Sequence, residues 1–555
     1  TSRHAGGVVI GEDLDKHMPL ICSGGVVQTP WSEGMNVRHL EPLGFIKFDL
    51  LGLSTLEMIQ SAVGHILRRE HGVENPTFAQ IKEYYDKTLH PDVINLKDQS
   101  VYENIFHKGR FAGVFQFTNT GAQRLSMKSK PTDIIDISAI TSIYRPGPLS
   151  ANVDKLYVKA KKNNDAYYHN DIIEEITKET YGFLIFQEQI ALLAHKLGEG
   201  VTLEEGNKLR KLLTKKGGGS KAKEKESIRE RFIKGCVNKR MAKADAEDLW
   251  KKFEYFSGYG FNKSHAVSYS ILSYQCAWLL NYYPECWMAA FLDKEPESRK
   301  EAAISLAQKN GFKIEDININ TSTTQWEIAD DGFTLIQPFS SIKGLGEKAV
   351  EQIINNRPFQ SVEDLLFNEG IVYSKLNKKA LDVLCRAGAL DELMDERFNN
   401  RKHFWMSCVK DKPKNLKKLP DQINLYADVD DFSIEEKIAH TSDLTGIFPF
   451  DLVMTRQVKD AIDRHAVPPV GAYDKDLKVA WFIPREVIEK KTKNGKPYWI
   501  VSVVDTTSTV TKIKCWGIKE HDQIFLNRPY LAKLDYSEEW GFSTRSIRHT
   551  FRMLG

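Results

Sequence analysis

The spacing of apolar residues changes twice along this chain, and those changes rule out any fold built on a single period. Residues 6–11, 24–29 and 45–51 ("GGVVIG", "GGVVQT", "FIKFDLL") are short runs rich in the Val, Ile and Phe that suit a pleated surface. From about residue 56 to 300 apolar positions recur every three or four residues, as in "LEMIQSAVGHILRRE", "IFQEQIALLAHKL" and "SYSILSYQCAWLLNYY", which predicts a large helical region. Residues 478–517 return to alternation around a basic turn at Asn494-Gly495, and a small closed β-barrel would leave such a unit without exposed edges. The 555 residues leave room for roughly three or four domains.

Between these blocks the punctuation is local. Residues 214–226, "TKKGGGSKAKEKE", read as a mobile loop between helices. Residues 320–395 read as a hairpin around Asp330-Asp331-Gly332, a Gly-rich turn and a helix, and the polar, Pro-containing stretch 410–435 reads as a linker. Lys and Arg number 77 against 74 Asp and Glu, so only local charge clusters point to a partner. The seven cysteines form no CxxC pair, which argues against a zinc ribbon or a disulfide framework and for a reducing, cytosolic compartment. No apolar run approaches the ~20 residues of a membrane span, so no membrane association is expected. A first residue Thr1 in place of Met fits release from something longer by processing, splicing or trimming.

Asp49 is the sharpest candidate for chemistry. It stands in an apolar strand, and the two-residue period puts Lys47 on its face. A carboxylate there is either ion-paired with Lys47 or a ligand of a hard cation such as Mg²⁺. Two-metal phosphoryl chemistry needs more than one carboxylate. The two D-x-D sequences, Asp13-Leu14-Asp15 and Asp428-Val429-Asp430, lie in a turn and in the polar stretch and read as solvated surface acids.

A second set lies in the helical region. "IYRPGPLS" fixes Arg145 at a rigid turn, "NKLRKLLTKK" carries Arg210, Lys211, Lys215 and Lys216 into the glycine loop, and "FSGYGFNKSHAVSYS" brings Tyr259, Asn262, Lys263, Ser264 and His265 to a helix start. Together they suit a nucleoside triphosphate; singly they are a solvated charged face and an ordinary helix cap. "IKGLGEKAVEQI" places Gly344 and Gly346 in a turn between helices, flanked by Lys343 and Lys348, where backbone amides could approach a DNA phosphate. "VLCRAGALDEL", with Arg386 and Gly388, reads as a degenerate second copy, and a plain helical corner is the alternative. In the last block Trp481, Tyr498, Trp499 and Trp516 alternate with Lys490, Lys491, Lys493 and Lys496, as a base-stacking barrel or simply as its core.

Taken in order, "HAGGVVI", "IKFDLLGLSTL", "GVFQFTNTGAQRL", "SIYRPGPLS", "YGFLIFQEQIALLA", "LRKLLTKK", "FSGYGFNKSHAVSYSILSYQ" and "IKGLGEKAVEQII" resemble the C-terminal portion of a C-family replicative DNA polymerase, the bacterial DNA polymerase III alpha subunit. The resemblance implies a multidomain α+β chain. It assigns residues 1–58 to the end of a polymerase-β-like palm, 59–305 to mostly α-helical fingers and 306–410 to a helix-hairpin-helix DNA- and clamp-binding domain. Residues 411–474 would be a linker with a clamp-binding peptide, and 475–555 an OB-type β-barrel. It makes Asp49 the third catalytic aspartate of the palm, with Lys47 nearby, and places the Arg145-to-His265 set around the incoming nucleotide. It gives Gln422, Leu425 and Tyr426 of "QINLY" the role of anchors in a sliding clamp. The implied cofactor is a pair of Mg²⁺ ions, and the implied partners are primer-template DNA, dNTPs, the clamp and an N-terminal part with PHP, thumb and D-x-D segments. That part would complete the carboxylate set, in a bacterial cytoplasm or a phage-infected host. A DNA- and clamp-binding scaffold without catalysis is the alternative.

Overall fold

The computed structural model describes residues 6–554 apart from 24, 32–38, 51, 164–167, 215–219, 257–259, 297–298, 493, 508–509 and 538–539. The chain divides into two compact units, residues 1–60 and 61–555.

The first unit holds two short antiparallel ladders in place of one sheet. Gly7–Val9 pairs with Lys47–Asp49, with Gly7 opposite Asp49 and Val9 opposite Lys47; Ile21–Ser23 pairs with Val26–Gln28. Three-residue strands with apolar side chains cannot bury both faces of a two-stranded ribbon. Ile46 is accordingly 66%, Phe48 46% and Leu50 72% exposed, which corrects the expectation of a buried apolar strand around Asp49.

The second unit is mostly helical. The Lys263–Tyr282 helix is apolar nearly all round and buried on most sides. It packs along Ile134–Ile143, where Ser138 Oγ donates to Ser270 Oγ at 3.0 Å and lets the two backbones come close. A second helical group closes around Phe232, Trp250 and Phe253. Here Gly206 and Gly235 are required by contact: a Cβ at either would stand 2.5 Å from Ala191 O or 2.2 Å from Leu197 O. The loop expected over 214–226 is corrected from Ser220 onward, where a helix runs to Asn238.

The hairpin expected at 330–332 forms: Glu327–Ile328 and Thr334–Ile336 are antiparallel, and Lys313–Glu315 joins as a parallel third strand. Helices Glu347–Asn356 and Lys378–Arg386 then share one core. The stretch read as a linker is instead structured. Helices Leu419–Leu425, Ile434–Thr445 and Arg456–Arg464 occupy it, and Leu419 and Ile423 bury themselves in that same core. A buried backbone must place its polar groups, and His403 Nε2 lies 2.8 Å from Ile423 O while Lys343 N donates to Leu444 O at 3.0 Å.

The C-terminal block is a seven-stranded sheet curled on one long strand, Val479–Lys491. Its first residues pair with Tyr530–Lys533 and its later ones, from Ile483 on, with Pro497–Val504, with a bulge between Pro484 and Glu486. The expected closed barrel is corrected: among the described residues Asp535–Ser537 and Phe551–Met553 remain edge strands. No helix among the described residues is long and apolar enough to cross a membrane.

Candidate functional site

Segments far apart in sequence meet at the start of the Lys263–Tyr282 helix. Phe261 N donates to Ile185 O at 3.1 Å and Gln187 N to Phe261 O at 2.8 Å, tying the "IFQEQ" segment to "GFNKS". Arg145 comes from the third segment, and its guanidinium carbon lies 4.4 Å from the Phe261 ring centroid while Nε donates to Ser142 O at 2.9 Å. The Pro that follows Arg145 starts a short helix and fixes the backbone there. Partial burial lowers the Arg145 pKa, but a guanidinium stays charged at neutral pH. From the same helix His265 lies 4.2 Å from Tyr269 and 5.5 Å from Phe261, and Tyr269 lies 5.2 Å from Phe115. Arg145, Phe261, His265, Tyr269 and Phe115 thus form a continuous cation and ring ladder, with His265 exposed.

Asn262 behaves as a helix cap. Its Oδ1 accepts from His265 N at 2.9 Å and from Ser264 Oγ at 2.7 Å, the ordinary alternative for polar residues at such a start. Two acids that sequence reading missed complete the arrangement. Glu188 accepts from Asn262 Nδ2 at 2.7 Å and from Lys263 N at 2.9 Å, and Glu179 accepts from Lys263 Nζ at 2.6 Å. The Lys263 amide and ammonium, expected to face a phosphate, are both engaged by carboxylates here. Tyr259, Lys215 and Lys216 lie outside the described residues, as do the side chains of Arg210 and Lys211 on the Leu203–Thr214 helix.

The side chain of Asp49 also lies outside the described residues, while Lys47 is half-buried on the same strand. Of the first D-x-D pair, Asp13 sits at a left-handed turn and binds Lys16 at 2.7 Å, both exposed; Asp428 and Asp430 are exposed. Among the described residues no three His, Cys, Asp or Glu side chains come together as a metal site.

One buried carboxylate that sequence reading missed is Asp136. At 2% exposure it accepts from Thr132 N at 2.9 Å, Tyr157 OH at 3.0 Å and the Lys161 ammonium. Its signal was an acid inside the apolar "IIDISAITSI".

The two glycine turns differ. Gly344 has φ +88, and a Cβ at Gly344 or Gly346 would meet nothing within 4 Å; Lys343 and Lys348 are exposed. The element before this turn is a single 3-10 turn, Phe339–Ser341, where a helix was expected. Gly388 also has φ +88, but a Cβ there would stand 3.0 Å from Arg401, and Arg386 pairs with Asp382 at 2.5 Å. The second copy is thus packed where the first is open. In "QINLY" Ile423 is buried, Leu425 is 68% exposed, and the Tyr426 hydroxyl donates to Asp411; Gln422 is half-buried. In the curled sheet Trp481 is core, the second of the two readings open for these aromatics. Tyr498 and Trp516, both half-buried, stack at 4.6 Å and 24°, and Lys490, Lys491 and Lys496 are exposed; Lys493 lies outside the described residues.

Residues 71–240 match the family model of the bacterial DNA polymerase III alpha subunit finger domain, and residues 311–400 that of a helix-hairpin-helix motif. Relatives named DNA polymerase III subunit alpha include that of Xylella fastidiosa, 33% identical over 71% of this chain and 32% of its own length. That of Campylobacter jejuni is 30% identical over 80% of this chain and 37% of its own, and that of Chlamydia pneumoniae 28% over 91% and 41%. The chain spans about a third of the length of the curated relatives it matches. It is similar over most of its own length to a portion of a C-family polymerase alpha subunit.

Proposed function

We propose, from this similarity and from the geometry above, that the chain is the nucleotide- and DNA-holding part of a template-directed DNA polymerase that adds nucleotides to a primer 3′-hydroxyl. One observation carries the reading. The "YRPGP" and "GFNKSHA" segments meet through Arg145 and Phe261 in a chain whose residues 71–240 match a polymerase finger domain. Arg145 would offset the charge of the incoming dNTP, and the His265 and Tyr269 rings would line its base side; Arg210 and Lys211, which belong to the Leu203–Thr214 helix, and Lys215 and Lys216, which follow it in sequence, would add further cations. Lys263 would reach the triphosphate by exchanging Glu179 for a phosphate.

Residues 1–58 are read as the end of a palm, with Asp49 as one carboxylate of a Mg²⁺-dependent centre and Lys47 beside it. The remaining carboxylates would come from outside these 555 residues, with the PHP and thumb segments. The exposed Ile46, Phe48 and Leu50 support this, since adjacent exposed apolar side chains favour an interface. Gly344, Gly346, Lys343 and Lys348 would take the duplex backbone, the OB-like sheet would stack single-stranded bases on Tyr498 and Trp516, and Leu425 would anchor a sliding clamp with Gln422 and Tyr426. A second reading, a scaffold that binds DNA and clamp without catalysis, is favoured by the internal pairing of Lys263 with Glu179.

Mixing this chain with a polypeptide that carries the PHP, thumb and D-x-D segments should give Mg²⁺-dependent primer extension, and Asp49→Asn should abolish it while DNA affinity is kept. A stable mixture that extends nothing, in buffer where another polymerase works, favours the scaffold.

A further inference from the structure

The curled sheet is open along the Asp535–Ser537 edge, which pairs on one side only, with Gly541–Thr544. At this edge the sheet's interior residues meet the helix Thr120–Ser129 of the helical region across a cleft of about 540 Å³. That volume lies within the roughly 300–1,000 Å³ of ligand sites. One wall is aromatic: Tyr473 and Tyr536, with ring centroids 6.2 Å apart, both lie against Phe542, at 5.1 and 4.9 Å. The Tyr473 hydroxyl donates to Leu534 O, which fixes that ring in place. Cations come from both sides. Arg124 and Lys128 project from the helix, and Lys475 Nζ stands 5.4 Å from the Tyr536 ring centroid. Met127, Val470 and Gly471 complete the lining; Asp474 and Asp535, next in sequence to the tyrosines, are not part of it.

An aromatic wall with three cations and, among the described lining residues, no carboxylate is complementary to a base joined to a phosphate. We propose that this cleft seats one nucleotide of a single-stranded nucleic acid, its base against Tyr473 and Tyr536 and its phosphates among Arg124, Lys128 and Lys475. The inference rests on the nucleic-acid reading above and adds a place on the strand's path, apart from the Tyr498–Trp516 surface. Such a seat would tie the helical region and the sheet to one strand, because each supplies part of it.

The test uses the full chain and fluorescein-labelled oligo-dT, read by anisotropy over a salt series. Lys128→Glu with Lys475→Glu should weaken binding by at least about fivefold and flatten the plot of log affinity against log salt by roughly 1.4, the share of two phosphate contacts on a single strand. Tyr536→Leu keeps apolar volume in the wall and should weaken binding with the salt slope unchanged. An oligonucleotide carrying 5-iododeoxyuridine should photocrosslink to Tyr473 or Tyr536. Unchanged affinity and slope in folded variants, as judged by circular dichroism, overturn the cleft while leaving the polymerase reading in place. So do crosslinks confined to Tyr498 and Trp516, or a cleft that takes free dTTP and no strand. A wild-type chain that binds neither single-stranded nor duplex DNA overturns both readings.

Discussion

Asp136 and Asp49 stand in regions built on opposite terms. Asp136 lies in a helix that is apolar nearly all round, yet every approach to its carboxylate is lined by a donor: Thr132, Tyr157 and Lys161. Asp49 lies on a three-residue strand whose apolar neighbours face outward. The difference teaches where each charge gets its meaning. A buried charge that is satisfied internally is part of the architecture, since desolvation is compensated on the spot. A strand that leaves its apolar flanks exposed has its packing still to be completed.

The comparison breaks first at Asp136. Asp136→Leu leaves the Lys161 ammonium, 10% exposed, without its partner, and should cost about 3–5 kcal/mol in urea denaturation. A loss below about 1 kcal/mol would mean that Asp136 is not structural.

Asp293 sharpens it, as a buried acid only half provided for. Oδ1 accepts from Trp326 N at 2.9 Å, Oδ2 has no partner, and burial raises the pKa to about 7. The folded state then holds a proton that the unfolded state releases from about pH 4 upward, so Asp293 makes stability fall with rising pH between about 4 and 7 and level off above. Asp293→Asn removes this slope, up to about 1.4 kcal/mol per pH unit, and the variant should gain on the wild type across that window in paired melts. His65 works in the opposite sense: burial holds its pKa near 3, so its contribution is lost as pH falls from about 6.5 towards 3.

The two glycine turns carry the contrast to smaller energies. Ala at Gly388 meets both a positive φ and Arg401, and should cost about 1–2 kcal/mol of stability with duplex affinity unchanged. Ala at Gly344 meets only the φ, about 1 kcal/mol, and should weaken duplex binding, measured by anisotropy on hairpin DNA.

Much of the fold was legible because long periods survive tertiary packing. The helix read over 268–283 is found at 263–282, and the hairpin at Asp330-Asp331-Gly332 forms where its turn residues stand. The helix at 419–425 escaped because two buried residues, Leu419 and Ile423, set among lysines and a proline make no visible period. Barrel closure could not be read because strand order is non-local, and Trp481 could not be told from a surface aromatic by alternation alone. In the candidate site Arg145 and the Asn262 cap were visible as local turns. Glu179 and Glu188 were not, because nothing near them in sequence shows that they will face Lys263 from 84 and 75 residues away.

The smallest expected change in stability, within about 0.5 kcal/mol, belongs to Asp49→Asn, and it goes with the largest expected change in function. Primer extension by this chain mixed with a D-x-D-bearing partner, wild type against Asp49→Asn, puts the two together in one assay. The account predicts extension by the wild-type mixture and none by the variant at unchanged DNA affinity. Equal extension by both would contradict it.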